Sequence, residues 1–293
     1  FYIKGIVYMK FIKFFRKTFL VSLLLPFIII INCSANPICD FRSYWINIHT
    51  KSPVISCDTL MTIPTIDNEE PLVSVSEIVP DIVCKYARTD MEQYVGKKML
   101  VRQSVAEKLA SANSALKQIL PNAQIKIGYG YRHPAIQKQY YNEIHTLLKR
   151  YLLLPATLDF FRIPHTKLNN WINNVTHLLV AYPPVAGHPT GGAVDITIVI
   201  QQDNGEYKEL DMGGYLSDQH PLLQTLPTYS SSITPEQQEN RLILRNIMVE
   251  AGFAPFNGEW WHFSYGDKEW AAYYEKPNAI YSSVTINSID ELS

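Results

Sequence analysis

Two histidines and two acids stand at spacings that suit a catalytic metal site. Six residues separate His188 from Asp195, and the pair Gly191-Gly192 among them lets the chain turn sharply and deliver Asp195 onto the next strand. Glu259 and His262 flank a tryptophan pair further along the chain. Two imidazoles and one carboxylate form a ligand set that holds a catalytic zinc and leaves a fourth position for water.

Glu259 is the candidate general base beside this ligand set. In a strictly alternating strand, residues three apart face opposite sides, so Glu259 and His262 share a site only if Glu259 lies on the turn that enters from Gly258. The alternative interpretation is that Asp195 caps a turn, the pair Trp260-Trp261 is part of the core and Glu259 is exposed. Spacing alone leaves both interpretations open.

Apolar periodicity predicts the elements that must position these groups. Apolar residues recur at helical spacing from Leu100 to Leu120, and they alternate with polar residues from Ala123 to Tyr131, which is the period of a half-buried strand. A capping box at Thr234 and Gln237 starts the last long helix. The predicted helices cover 100–120, 137–154 and 235–251, and the predicted strands cover 123–131, 193–200 and 260–265. We therefore expect an α+β fold, a single domain with flanking helices and a central antiparallel sheet that carries the zinc site.

The first 35 residues have the order of a secretory signal peptide. Basic residues between positions 10 and 17 precede the apolar stretch Phe19 to Ile31, and Cys33-Ser34-Ala35 follows. The apolar stretch is too short for the ~20 residues of a membrane-spanning helix. We expect cleavage after Ala35 and a periplasmic or secreted protein that is not held in a membrane. Lipid attachment at Cys33 is less favoured because Asn32 precedes it. Residues 1–8 come before the first methionine, and we expect them to be upstream sequence outside the native protein.

Composition divides the rest of the chain and excludes one class of partner. Residues 36–90 are predicted to be an irregular N-terminal extension, 91–277 the domain that carries the site, and 278–293 a C-terminal tail. Without residues 1–35, 21 basic and 27 acidic residues leave a charge of −6, which is no electrostatic footprint for nucleic acid. In an exported protein Cys39, Cys57 and Cys84 can form a disulfide. The sequence leaves their pairing and the oligomeric state open.

Three motifs, in order along the chain, resemble those of one enzyme family. The stretch His188 to Asp195, the run Glu259-Trp260-Trp261-His262 and the segment Gly130-Tyr131-Arg132-x-Pro134-x2-Gln137 are similar to the metal-binding and arginine motifs of the zinc D-alanyl-D-alanine dipeptidases of the VanX type, and of the related D,D-carboxypeptidases. Three segments favour the dipeptidase branch: Gly191-Gly192-Ala193-Val194-Asp195, Asp211-Met212-Gly213 and the run Trp261 to Gly266.

The resemblance implies a role for each motif residue. One Zn²⁺ per chain is bound by His188, Asp195 and His262. Glu259 is then the general base that activates the metal-bound water, and Arg132 stabilises the oxyanion of the tetrahedral state. The implied reaction is hydrolysis of D-Ala-D-Ala or a similar small cell-wall peptide.

The sequence departs from the family's pattern at two places that contact the substrate. Ala186 stands where the family usually carries a serine that helps hold the substrate's carboxylate. Ser217 stands near the place of an acid that meets the free ammonium, and Asp218 follows it. Asp211, Asp218 and Trp261 are the candidate substrate-binding residues. The two changes bear on which peptide end is recognised, whereas the zinc chemistry is expected to survive them.

Two other functions are consistent with the same residues. A D,D-carboxypeptidase acting on longer peptidoglycan stem peptides requires an open cleft in place of a closed pocket. A non-catalytic zinc-stabilised binding domain, like the related signalling domains of the hedgehog type, requires the metal alone. The presence of both Glu259 and Arg132 argues against the binding domain, because a domain without chemistry has no physical need for both.

Overall fold

The structure of the chain is a computed structural model that describes residues 54–152, 172–173, 176–177, 180–214, 216, 227–230 and 232–287. All of these residues belong to one unit, 40–293. The predicted signal peptide, Cys33, Cys39, Ser217 and Asp218 lie outside the described residues. Within the described ranges, no helix combines the length and the apolar character needed to cross a membrane.

A six-stranded sheet is the framework of the described structure. The strands of the described residues, both inside and outside this sheet, are β1 (Leu72–Ser74), β2 (Val83–Cys84), β3 (Leu100–Arg102), β4 (Ala123–Tyr129), β5 (Ala193–Gln201), β6 (Tyr207–Glu209), β7 (Ala254–Pro255) and β8 (His262–Ser264). The sheet has the order β2-β4-β5-β8-β7, with β6 also paired to β5, while β1 and β3 pair separately. The neighbours in the sheet are antiparallel except β2 and β4, which are parallel.

Helices of very different lengths flank the sheet. They are α1 (Cys57–Thr62), α2 (Val75–Ile78), α3 (Glu92–Val95), α4 (Gln103–Ile119), α5 (Pro134–Leu152), α6 (Pro235–Glu250) and α7 (Lys268–Tyr273). Short 3-10 turns at Pro183–Val185 and His188–Thr190 lead into β5. The predicted capping box is present at the start of α6, where the side chains of Thr234 and Gln237 each accept a backbone N–H of the other residue.

Helix α4 packs on the sheet through the apolar stripe that its sequence predicted. Val105, Leu109 and Leu116 are fully buried and belong to the same apolar cluster as Ile125 of β4. The buried side-chain oxygen of Asn113 accepts the N–H of Ile125 at 2.8 Å. A buried donor without a partner costs about 1–3 kcal/mol, so this bond helps to fix the helix against the strand.

The α+β prediction is confirmed, with differences at several element ends and in one strand pair. Leu100–Arg102 is a strand and not the first turn of α4, because it pairs with Leu72–Ser74. The last strand begins at His262 and not at Trp260, because residues 257–258 and 260–261 form turns. The sheet, expected to be antiparallel, also contains the parallel pair β2–β4.

The segments before and after the main body contain ordered elements. Residues 54–90, expected to be irregular, contain α1, β1, α2 and β2, and β2 pairs with Lys126 and Ile127 of the main sheet. In the tail, Tyr281 and Ile286 are buried. The N-terminal segment therefore contributes directly to the sheet that positions the site.

Cys84 forms no disulfide with another described cysteine, and burial raises the pKa of its thiol to about 11.

Arg102 ties the loop before β5 to two distant segments. Its backbone N–H donates to the Gly191 carbonyl at 3.0 Å, and its Nε donates to the Thr190 carbonyl at 2.8 Å. Its Nη atoms donate to the carbonyls of Glu70 and Ser282. Arg102 is only 3% exposed. Its hydrogen bonds are therefore shielded from water, which strengthens them, and they hold the loop before β5 in place.

Candidate active site

Three adjacent strands bring the predicted residues together. Asp195 lies near the start of β5, opposite Tyr129 of β4 on one side and opposite His262 of β8 on the other. His188 comes from the 3-10 turn just before β5, and its carbonyl accepts the backbone N–H of Arg132 at 3.1 Å. The sheet register and the turn before β5 therefore bring His188, Asp195 and His262 together.

His188, Asp195 and His262 form a cluster that could hold a metal ion, which we call the metal group. Its potential ligand atoms lie within 4.8 Å of one another. His188 Nε2 is 3.2 Å from Asp195 Oδ1, and His262 Nδ1 is 3.0 Å from the same oxygen. On the other side of its ring, His188 Nδ1 donates to the carbonyl of Gly130 at 2.8 Å. Because a carbonyl only accepts, that bond places the ring proton on Nδ1 and leaves the lone pair of Nε2 directed at the group in the neutral ring.

The electrostatics of the group favour a positive charge at its centre. Burial opposes ionisation of Asp195, but the positive charge and the hydrogen bonds that the rings of His188 and His262 supply when they are protonated hold its pKa well below the usual range. Burial also opposes protonation of His262, yet its hydrogen bond to Asp195 and the negative charges of Asp195, Glu269 and Glu259 raise its pKa to about 9. Burial lowers the pKa of His188. A divalent cation supplies the charge that this arrangement favours, and two imidazoles with one carboxylate are ligands that suit zinc.

Arg132 lies beside this group and is held from several directions. Its Nη2 is 3.6 Å from Asp195 Oδ2, and its Nη1 donates to Gln137 Oε1 at 2.9 Å. Gln137, 1% exposed, uses its amide N–H to bond the carbonyl of Ala181 at 2.9 Å. The guanidinium carbon lies 4.1 Å from the centre of the Tyr129 ring, a distance typical of cation–π contacts. The guanidinium of Arg132 is therefore oriented before any substrate binds.

Glu259 is on the turn, where the spacing argument required it to be. Its N–H donates to the carbonyl of Phe256 at 3.2 Å, and its own carbonyl accepts the N–H of His262 at 3.3 Å. It is half-buried, and its negative charge contributes to the raised pKa of His262. Because β8 starts only at His262, Glu259 lies outside the alternating strand, and its charge acts on His262.

The structure places the predicted substrate-binding residues less centrally. Asp211 accepts the N–H of Gly213 at 2.9 Å and the amide N–H of Gln237 at 3.0 and 3.1 Å, so its carboxylate braces the loop after β6. It is not a member of the metal group that the described residues form. Trp261 is half-buried next to the buried Trp260, with ring centres 5.3 Å apart. Asp218 is outside the described part of the chain.

Two supporting residues had no assigned role in the sequence analysis. Gln137 is part of the arginine motif, and its burial next to a conformationally fixed arginine could not be read from spacing. Glu269, at the start of α7, places Oε2 3.6 Å from His262 Nε2. An acid in the first turn of a helix is common because it interacts favourably with the helix dipole, so nothing in the local pattern connects Glu269 with the site.

Comparison with known proteins supports the family resemblance of the motifs. The peptidase M15 family, described as D-ala-D-ala dipeptidase, matches residues 68–281. A protein of Synechocystis sp. (strain ATCC 27184 / PCC 6803 / Kazusa) named D-alanyl-D-alanine dipeptidase is 29% identical over 236 residues, which are 74% of this chain and 90% of that protein. A protein of Escherichia coli strain K12 with the same name is 36% identical over 78 residues, 27% of this chain and 37% of that protein. The family match begins before residue 90, so part of the segment called an extension belongs to the family's common structure.

Proposed function

The chain belongs to the D-alanyl-D-alanine dipeptidase family of M15 peptidases, and we propose that it hydrolyses D-Ala-D-Ala or a similar cell-wall dipeptide with one zinc ion. The observation that carries the proposal is the convergence of His188, Asp195 and His262 within 4.8 Å, inside the matched residues. These three side chains would hold the ion. When bound, zinc polarises the scissile carbonyl and lowers the pKa of water toward ~7.

Glu259 is the proposed general base. It accepts the proton of the attacking water and passes it to the leaving amine, so the same carboxylate acts first as base and then as acid. Its place on the turn before His262, with a half-buried side chain, supports this assignment. A carboxylate that does not bind the metal can exchange a proton during each turnover.

Arg132 is the proposed oxyanion stabiliser. The guanidinium is always charged and offers donors in a fixed fork, and its bond to Gln137 with its position over Tyr129 orients that fork. Its Nε is buried without a hydrogen-bond partner among the described residues. Preorganised donors stabilise developing negative charge without reorganising during the reaction.

The ends of the substrate are read by a modified set of groups. Ala186 is buried and offers no side-chain hydroxyl for a carboxylate, so that end of the dipeptide loses one donor relative to the family pattern. For the ammonium end we propose Asp218 as the acid that follows Ser217, and Trp261 as an apolar neighbour of the bound peptide. Asp211 remains a candidate contact, although its carboxylate is occupied by Gln237 and Gly213.

Hydrolysis of D-Ala-D-Ala tests the proposed function directly. The zinc-loaded protein is incubated with D-Ala-D-Ala and free D-Ala is followed, with Glu259→Ala as the blank. We expect release that depends on Glu259 and a variant that keeps its zinc while losing on the order of 10²–10⁴ in rate. No release from a protein that holds zinc, with release of D-Ala from a peptidoglycan pentapeptide, would replace the dipeptidase with a carboxypeptidase.

We also propose that the protein is exported. The support is the order of basic residues, apolar stretch and small residues within positions 10–35. Expression in a bacterial host followed by N-terminal sequencing of the periplasmic protein is expected to give Asn36 as the first residue. Retention of an uncleaved chain in the cytoplasm would contradict the proposal.

A further inference from the structure

The ring nitrogen of His262 that faces away from Asp195 has an acidic neighbour. Nδ1 of His262 is the atom next to Asp195, so Nε2 is the second nitrogen of the ring. Nε2 lies 3.6 Å from Glu269 Oε2 and 3.4 Å from the hydroxyl oxygen of Ser264. The Glu269 side chain is only 15% exposed. The imidazole is therefore flanked by a carboxylate on each side.

The fold fixes where the Glu269 side chain starts. Asp267 caps α7, because its Oδ1 accepts the N–H of Trp270 at 2.9 Å, and Asp267 is itself 1% exposed. A Cβ on Gly187 would overlap Asp267 Oδ2. The start of α7 thus packs directly against the residue that precedes His188, and the carboxylate of Glu269 is delivered to His262 by a rigid helix end.

We propose that Glu269 is a positioning residue for the metal site, which accepts the Nε2–H of His262 and so keeps the Nδ1 lone pair for the metal. The inference rests on the proposed zinc function. A neutral imidazole carries one ring proton, and whichever nitrogen holds it cannot be a ligand. An acceptor at Nε2 fixes the tautomer and the ring orientation and makes Nδ1 a better donor.

His188 and His262 are then oriented by two different kinds of acceptor. The backbone carbonyl of Gly130 accepts from Nδ1 of His188, which directs Nε2 to the metal. The side chain of Glu269 serves His262 through the opposite nitrogen. Because one acceptor is a side chain, the role of Glu269 can be tested by substitution, whereas that of Gly130 cannot.

Zinc affinity of the full-length protein tests this role without relying on catalysis. The zinc dissociation constant is measured by competition with a chelator for the wild type, Glu269→Ala, Glu269→Gln and Ser264→Ala. Glu239→Ala, at an exposed position of α6, is the matched control. We expect Glu269→Ala to weaken zinc binding by about 10–100-fold and Glu269→Gln to recover part of the loss, because its amide oxygen still accepts a hydrogen bond. Glu239→Ala is expected to match the wild type.

A second readout reports the tautomer itself. In ¹⁵N spectra of the zinc-loaded wild type, His262 is expected to carry its proton on Nε2, and in Glu269→Gln, which keeps the shape of the side chain, that proton is expected to exchange faster with water. Wild-type zinc affinity in both Glu269 variants overturns the inference while leaving the zinc peptidase proposal standing. A loss in Ser264→Ala alone assigns the acceptor to Ser264 and also overturns it. A wild type that binds no zinc defeats the proposed function first.

Discussion

Replacing Arg132 with alanine is expected to slow turnover without loosening the metal. Removal of one oxyanion donor costs on the order of 10²–10³ in kcat, or about 2.7–4 kcal/mol. Zinc binding, in contrast, is not expected to weaken when Arg132 is removed. Nη2 of Arg132 is 3.6 Å from Asp195 Oδ2, and unit charges about 4 Å apart interact by roughly 1 kcal/mol in water and roughly 4 kcal/mol at an effective dielectric constant of about 20.

Because Arg132 and Asp195 attract each other in the wild type, we expect the zinc affinity of Arg132→Ala to be equal to or higher than that of the wild type. The arginine partly neutralises a proposed ligand and repels a divalent ion, so its loss makes the site more negative. Arg132→Lys keeps the charge but loses the planar fork, and we expect it to fall between the wild type and alanine. The control is Lys117→Ala. Lys117 is in the last turn of α4 and forms an ion pair with Asp81.

The assay combines kcat for D-Ala release at saturating substrate with a zinc dissociation constant from chelator competition. An Arg132→Ala protein with wild-type kcat would remove Arg132 from the mechanism. Lower activity together with weaker zinc binding would also refute the reasoning, because it would show that the arginine acts by supporting the metal group and not by meeting the oxyanion.

The other predictions concern the surroundings of the site. Gln137→Leu releases Nη1 of Arg132 and leaves buried polar groups unpaired, so we expect a lower kcat than the wild type but a higher one than Arg132→Ala, with about 1–3 kcal/mol lost from the free energy of unfolding; unchanged kinetics would argue against preorganisation. Gly187→Ala forces a Cβ into a buried carboxylate and is expected to cost roughly 1–3 kcal/mol in urea unfolding, and a wild-type midpoint would contradict the packing described. Because the pKa of the Cys84 thiol is raised to about 11, its reactive thiolate is scarce at pH 8, so a thiol reagent is expected to label it slowly in the folded protein and quickly after unfolding; equal rates would show the thiol to be exposed.

Elements with a strong local pattern could be predicted from the sequence. The stripe of α4 and the capping box of Thr234 depend on neighbours a few residues apart, and the structure has both. The strand that carries Asp195 was found from its β-branched run. The spacing of the two histidines and the acid of the metal group is consistent with a metal site but does not require one, and the resemblance of three motifs to one enzyme family favours the metal. The sheet register places Asp195 opposite His262.

Features set by distant contacts could not be predicted. Leu100–Arg102 continues the apolar pattern of α4, yet pairing with Leu72–Ser74 makes it a strand, since strand pairing depends on context more than on propensity. The parallel pairing of β2 rests on two residues, Val83 and Cys84, too few for a periodic signal. Glu269 reads as an ordinary acid in the first turn of a helix, and only the packing of α7 brings it to His262.

Locating the metal is the most direct test of the central claim. Crystals of the zinc-loaded protein, measured on both sides of the zinc absorption edge, would show the ion through its anomalous signal. We predict one peak per chain, coordinated by His188 Nε2, an oxygen of Asp195 and His262 Nδ1. A folded protein whose zinc peak lies elsewhere, or which shows no peak between these three side chains, would contradict the account.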